Sequence, residues 1–119
     1  MNTLSLHVLH ELKSFMEPDE YREFLQTACD TLTQQALALE QQVTVQSWEE
    51  ARRIAHRLKG TLGSLGCDRL HAVLHALEEG LRQTPPVLPT TETMASMAMQ
   101  ARATLSALKQ QFELQPSAE

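Results

Sequence analysis

The chain has 119 residues, 4% of them aromatic and 42% hydrophobic, with two cysteines and a formal net charge of −5. That length is one domain, able to bury roughly two-thirds of its unfolded surface without disulfide or metal staples. No apolar run approaches the ~20 residues of a membrane span, no signal-peptide pattern opens the chain, and Cys29 and Cys67 make no CxxC site, so a cytoplasmic protein with reduced thiols is expected.

Abundant Ala, Leu, Gln and Glu favour an all-α protein. A short first helix is expected from about Leu4 to Phe15, carrying Leu6, Leu9 and Leu12 and stopping before Pro18. The second starts near Pro18, which suits a first turn, and Asp19 and Glu20 complement its dipole. Its stripe is Tyr21, Phe24, Leu25, Ala28, Leu32, Ala36 and Leu39, with the β-branched run Val43-Thr44-Val45 expected as the connector. The third opens on Ser47-Trp48-Glu49-Glu50, which reads as a capping box, and buries Trp48, Ala51, Ala55, Leu58, Leu62 and Leu65. Gly66 suits a left-handed C-terminal cap.

Asp68 is expected to cap the fourth helix, whose stripe is Leu70, Val73, Leu74, Leu77 and Leu81. Thr84 to Pro89 cannot continue it, because the prolines fix φ and lack donors. A last helix from about Thr91 to Phe112 presents Met94, Met97 or Ala98, Ala101, Leu105 and Leu108, with the methionines as packing filler. Residues 1–114 form the domain and 115–119 a flexible tail. Four such helices close most simply as an antiparallel up-down four-helix bundle, with the short N-terminal helix packed across one end.

Inside the third helix runs His56-Arg57-Leu58-Lys59-Gly60-Thr61-Leu62-Gly63-Ser64-Leu65-Gly66. Gly60 and Gly63 each cost about 1 kcal/mol relative to alanine, so a helix that only had to fold has no use for them. At 100° per residue, His56 lies roughly 140° from the centre of the apolar stripe, on the side shared by Arg52, Lys59, Gly60 and Gly63. It is therefore read as an exposed or groove-lining ring that a large partner reaches across the glycines. Folding the chain back near residue 67 sets it level with Leu77, Glu78 and Arg82, with His71 and His75 further along that flank. Residues 52–82 hold six of the ten basic side chains against three acids, a local basic face suited to an acidic partner or a phosphoryl group. Nucleic acid is not expected of an acidic chain without basic–aromatic interleaving.

The stretch Ala55–Gly66 resembles the signature of the histidine-containing phosphotransfer (HPt) domain of bacterial phosphorelays. His56, Leu58, Lys59, Gly60, Thr61, Leu65 and Gly66 fall in that signature's order, Ala55 supplies the small residue before the histidine, and the likeness extends over about residues 18 to 108. Family members also carry Gln or Glu 22 positions after the histidine, which here is Glu78. The resemblance implies a relay intermediary: His56 accepts a phosphoryl group from a receiver-domain aspartate and transfers it to another receiver. Glu78 would hold Nδ1–H and leave Nε2 as the nucleophile, while Lys59, with Arg57 and Arg82 beside it, stabilises the transferring charge. Gly60, Gly63 and Arg52 would lie on the docking surface. The implied partners are the receiver domains of a hybrid histidine kinase and of a response regulator. Mg²⁺ is expected in the receiver, with no metal or cofactor bound by this chain, which is expected to be a monomer. No P-loop or other Gly-rich nucleotide motif is present, so self-phosphorylation from ATP is not expected. Thr61, bulkier than the commoner Ser or Ala, and the proline-rich loop depart from the family pattern and bear on partner preference.

Three other readings compete. A non-catalytic helical interaction module would make His56 incidental, but leaves Gly60, Gly63 and Lys59 unexplained together. A metal-binding bundle would use His71 and His75 at i, i+4, a weak site without a third ligand. The phosphoacceptor domain of a chemotaxis-type kinase would belong to a much longer protein; a free-standing shuttle or a domain of a hybrid kinase fits this length better.

Overall fold

The computed structural model describes residues 2–115. Among them the chain forms α1 (Leu6–Ser14), α2 (Pro18–Thr44), α3 (Trp48–Gly63), α4 (Asp68–Arg82) and α5 (Thr91–Glu113). Each of α2 to α5 carries an apolar stripe that water disfavours, and the four stripes bury one another. Short connections reverse the chain each time: α2 packs on α3 and α5, and α4 closes the ring against the same two helices. The protein is thus an all-α, up-down four-helix bundle, 52 Å in its longest dimension. Leu25, Leu32 and Leu39 of α2 meet Leu58 and Leu62 of α3, Leu70 and Leu74 of α4, and Met97 and Leu108 of α5 in one core, all effectively sealed from solvent. Each such leucine contributes about 1.5–3 kcal/mol relative to an exposed one.

The short helix α1 packs on α2 and tucks Leu9 into the core. The chain before it is pinned to the α3–α4 turn, where Ser5 N–H donates to Leu65 O at 3.3 Å and Arg69 N–H to Asn2 O at 3.1 Å. Helix α1 is shorter than the Leu4–Phe15 span expected, because Ser5 serves as its cap and its Oγ accepts from Val8 N–H at 3.3 Å. Gln115, the first residue of the expected tail, donates from its side chain to Gln111 O at 2.9 Å; 116–119 lie outside the described residues.

Several boundaries differ from the sequence reading. Helix α2 continues through the supposed connector to Thr44, because Val43 packs on the core and the Thr44 hydroxyl donates to Glu40 O at 2.9 Å. The turn is made instead by Val45, Gln46 and Ser47, with Gln46 at φ 62°. The capping box is absent: Ser47 stands at the cap but makes no side-chain capping bond. Glu50 is drawn forward to Arg53 at 3.7 Å and Arg57 at 3.5 Å instead of back to the cap. Cys67, fully buried, takes the cap position of α4, leaving Asp68 as a first-turn acid that still meets the positive end of the dipole. Among the described residues Cys29, Ile54, Cys67, Glu78 and Thr104 are buried outside the expected stripes. Ile54 is covered because α3 faces two helices at once, and Thr104 because its hydroxyl donates to Gln100 O of its own helix at 2.8 Å.

Candidate functional site

The α3–α4 hairpin places His56 opposite Glu78, and the pairing is direct. His56 Nδ1 lies 2.8 Å from Glu78 Oε1 and 3.2 Å from Oε2. The two differ sharply in exposure: the imidazole is 58% exposed, the carboxylate 1%. A buried carboxylate survives only with compensating partners. Glu78 has three: His56, Lys59 Nζ at 3.1 Å from Oε2, and Arg82 NH2 at 3.1 Å from Oε1. Burial pushes the Glu78 carboxyl upward, but the hydrogen bonds from His56 and Lys59 and their charges outweigh it, so the group is held below the usual carboxylate range.

An ionised carboxylate only accepts hydrogen bonds, so His56 Nδ1 must carry the ring proton. The lone pair is then on Nε2, on a ring more than half exposed. Lys59, 17% exposed, is held between Glu78 and a residue that the sequence placed on the same flank but not in the site: His75, whose Nδ1 is 3.2 Å from Lys59 Nζ. An ammonium only donates, so His75 Nδ1 is the acceptor there. Its signal in the sequence was its place three residues before Glu78 on the same helix flank.

Of the other candidates, Arg82 reaches the carboxylate, whereas Arg57 pairs with Glu50 and lies exposed along α3. Arg52 is turned onto Glu49, with NH2 to Oε1 at 2.6 Å and Nε to Oε2 at 3.3 Å. Gly60 opens onto free space, with no atom within 4 Å of where a Cβ would stand. Gly63 is also exposed, but a Cβ there would lie 3.3 Å from His71 Cδ2 of α4. The rings of His71 and His75 run parallel, 6.3 Å apart at 6°. Among the described residues no three His, Cys, Asp or Glu side chains gather to hold a metal ion, and no helix is long and apolar enough to cross a membrane. Both cysteines are buried, and burial pushes the Cys67 thiol up to about 11.

Because the folded-state value of Glu78 is depressed, its ion pairs add stability above the unfolded value of about 4.3 and lose it as pH falls through the lower folded value. The wild-type urea midpoint is accordingly expected to drop in the acid range below ~4.3. Glu78→Gln should flatten that part of the profile; parallel acid limbs in the two proteins would contradict the assignment.

These features define a class: a helical bundle that presents one oriented imidazole on its surface instead of enclosing a substrate in a cleft. The model of the Hpt domain matches residues 21–112, most of the chain and all of the bundle except the first turn of α2 and the end of α5. The chain belongs to the Hpt domain family, whose work is phosphotransfer in two-component signalling through contact with receiver domains. No curated protein and no solved structure matches it.

Proposed function

We propose that this protein is a phosphorelay intermediary whose phosphoacceptor is His56. The reading is carried by one observation, the exposed imidazole whose Nδ1 is anchored 2.8 Å from a buried carboxylate. In the step envisaged, the Nε2 lone pair attacks the phosphorus of a receiver's aspartyl phosphate. The N–P bond forms, the P–O bond to the aspartate breaks, and that carboxylate leaves with the electron pair. Nδ1 keeps its proton, and Glu78 balances the positive charge the ring acquires. Lys59 and Arg82, already gathered at Glu78, supply positive charge beside the phosphoryl group. Transfer onward is the reverse reaction with a second receiver. In this reading the receivers are those of a hybrid histidine kinase and a response regulator, any Mg²⁺ resides in them, and the protein acts as a cytoplasmic monomer without kinase activity of its own.

Incubation with a receiver phosphorylated from a small-molecule phosphodonor tests the proposal. The chain should acquire an acid-labile, alkali-stable phosphoryl group on the peptide containing His56. Label that resists acid, or that maps to a different peptide, would sink it.

The open space at Gly60 supports its role, with Arg52 and the exposed edge at Gly63, in letting the receiver's rim approach. Gly60→Gln fills that space with a flexible chain while improving helix propensity by roughly 0.5–1 kcal/mol. We expect transfer to slow at least tenfold while the urea midpoint stays level or rises. Wild-type transfer rates in this variant would remove Gly60 from the docking surface.

A further inference from the structure

Lys59 has three N–H donors, and two are already committed, one to Glu78 Oε2 and one to His75 Nδ1. Both anchors stand on α4, so the ammonium is held by two bonds in fixed directions and its third N–H is left over. Preorganised donors stabilise developing charge best, because nothing has to move when the charge appears. The weak point of this arrangement is His75. Its ring is exposed, and an exposed imidazole ordinarily explores several rotamers.

What restrains it is one turn back on α4. The ring of His71 lies parallel to that of His75, with centroids 6.3 Å apart and planes at 6°, inside the range in which paired rings attract. His71 itself leans on α3 at Gly63, one of the two positions where that helix offers no side chain. A Cβ on Gly63 would sit 3.3 Å from His71 Cδ2, tighter than an ordinary packing contact, and 3.7 Å from Nε2, an ordinary one. The glycine therefore serves an internal neighbour as well as the exposed edge.

We propose that His71 is a positioning residue of the transfer site: seated over Gly63, it fixes the His75 ring, which in turn anchors the Lys59 ammonium. The inference rests on the phosphorelay reading for its consequence in transfer, though not for its geometry. His71 touches no reacting atom, so its loss should slow the transfer step without weakening receiver binding.

The test compares His71→Ala with His71→Phe in the full chain. Phenylalanine keeps a flat ring for the stack, and the missing Cβ at Gly63 leaves room for its extra atom. At saturating phosphorylated receiver, His71→Ala is expected to lower the transfer rate roughly two- to tenfold, the worth of a ring pair, with receiver affinity unchanged. His71→Phe should return to within about twofold of wild type on the same scale. The double variant His71→Ala/His75→Ala should be no slower than His75→Ala alone, because the two act in series. A separate readout needs no transfer at all. In ¹⁵N spectra of the histidine side chains, His75 should be the Nε2–H tautomer with Nδ1 accepting in wild type and His71→Phe, and should average between tautomers in His71→Ala. An unchanged rate in His71→Ala, a phenylalanine variant as slow as the alanine one, additive losses, or an effect confined to affinity would each overturn the proposal. If wild type accepts no phosphoryl group, the phosphorelay reading fails, and the spectra alone decide whether His71 fixes His75.

Discussion

His56→Gln is expected to take up no phosphoryl group from a phosphorylated receiver while folding as stably as the wild type. The loss is complete because an amide nitrogen has no available lone pair, and no group nearby replaces it as a nucleophile. His75 is the imidazole closest in the network, but its Nδ1 lone pair is already engaged by Lys59 at 3.2 Å. The fold should be spared, because His56 projects into solvent and substitutions at such positions usually stay within about 0.5 kcal/mol. The side-chain N–H₂ of glutamine also offers Glu78 a donor in place of Nδ1–H, so the buried carboxylate keeps all its partners. Two measurements check this, transferred label and a urea unfolding curve. Label on the variant would move the acceptor elsewhere, and a large drop in midpoint would mean that His56 supports the bundle. Glu78→Gln should contrast with it: a neutral amide still accepts from Nδ1–H but no longer balances the charge on the phosphorylated ring. For that change the expected loss is partial, on the order of 10–100-fold, as when a carboxylate orienting an imidazole is removed.

The difference between these two residues also marks what was legible in the sequence. Apolar periodicity located all five helices and most of the core, because burying apolar surface is the main force that drives folding and the period of each stripe is visible residue by residue. The hairpin register that sets Glu78 opposite His56 follows from the same stripes, Leu58 and Leu62 on one side and Leu70, Leu74 and Leu77 on the other. The depth of Glu78 was not legible. Its type and neighbours place it on a polar flank, yet three hydrogen-bond donors from two helices, the Lys59 and Arg82 cations among them, allow it to be 1% exposed. The link from Lys59 to His75 was hidden for a related reason: spacing fixes which flank a side chain occupies, whereas the reach of a four-carbon stem is decided by packing. Caps were the least legible feature. Ser47 and Glu50 have the right spacing for a capping box, but competing arginines on the next turns hold Glu50 forward. Such competition between local partners of nearly equal worth leaves no periodic trace.

Gly66→Ala is expected to destabilise the protein by about 2–4 kcal/mol, much more than its size suggests, and to do so without altering the transfer site. Gly66 closes the α3–α4 turn at φ 69°, where an L residue pays roughly 1–2 kcal/mol for its Cβ. Space is the second obstacle. A Cβ on Gly66 would overlap the Cβ of Ser5, with Ser5 Oγ at 3.3 Å and Ser5 Cα at 3.5 Å. The Ser5 backbone cannot simply retreat, since its N–H donates to Leu65 O and its hydroxyl caps α1. Moving it gives up a backbone hydrogen bond and a helix cap, each worth about 1 kcal/mol, and loosens the segment that seats Leu9. Ser5→Gly separates the two contributions. On its own it should cost only a few tenths of a kcal/mol, because glycine is a tolerable cap. In the Gly66→Ala background it removes the overlapping atom, so part of the loss should return and the residue of it reports the φ strain alone. Urea midpoints for the four proteins give the cycle directly. Strict additivity would show that the turn and the N-terminal segment are not in contact, and a wild-type midpoint in Gly66→Ala would show that neither the turn nor the overlap constrains this position. The site predicts its own insensitivity: Lys59, His56 and Glu78 lie seven, ten and twelve positions from Gly66 along the chain, so phosphoryl transfer well below the unfolding midpoint should match wild type.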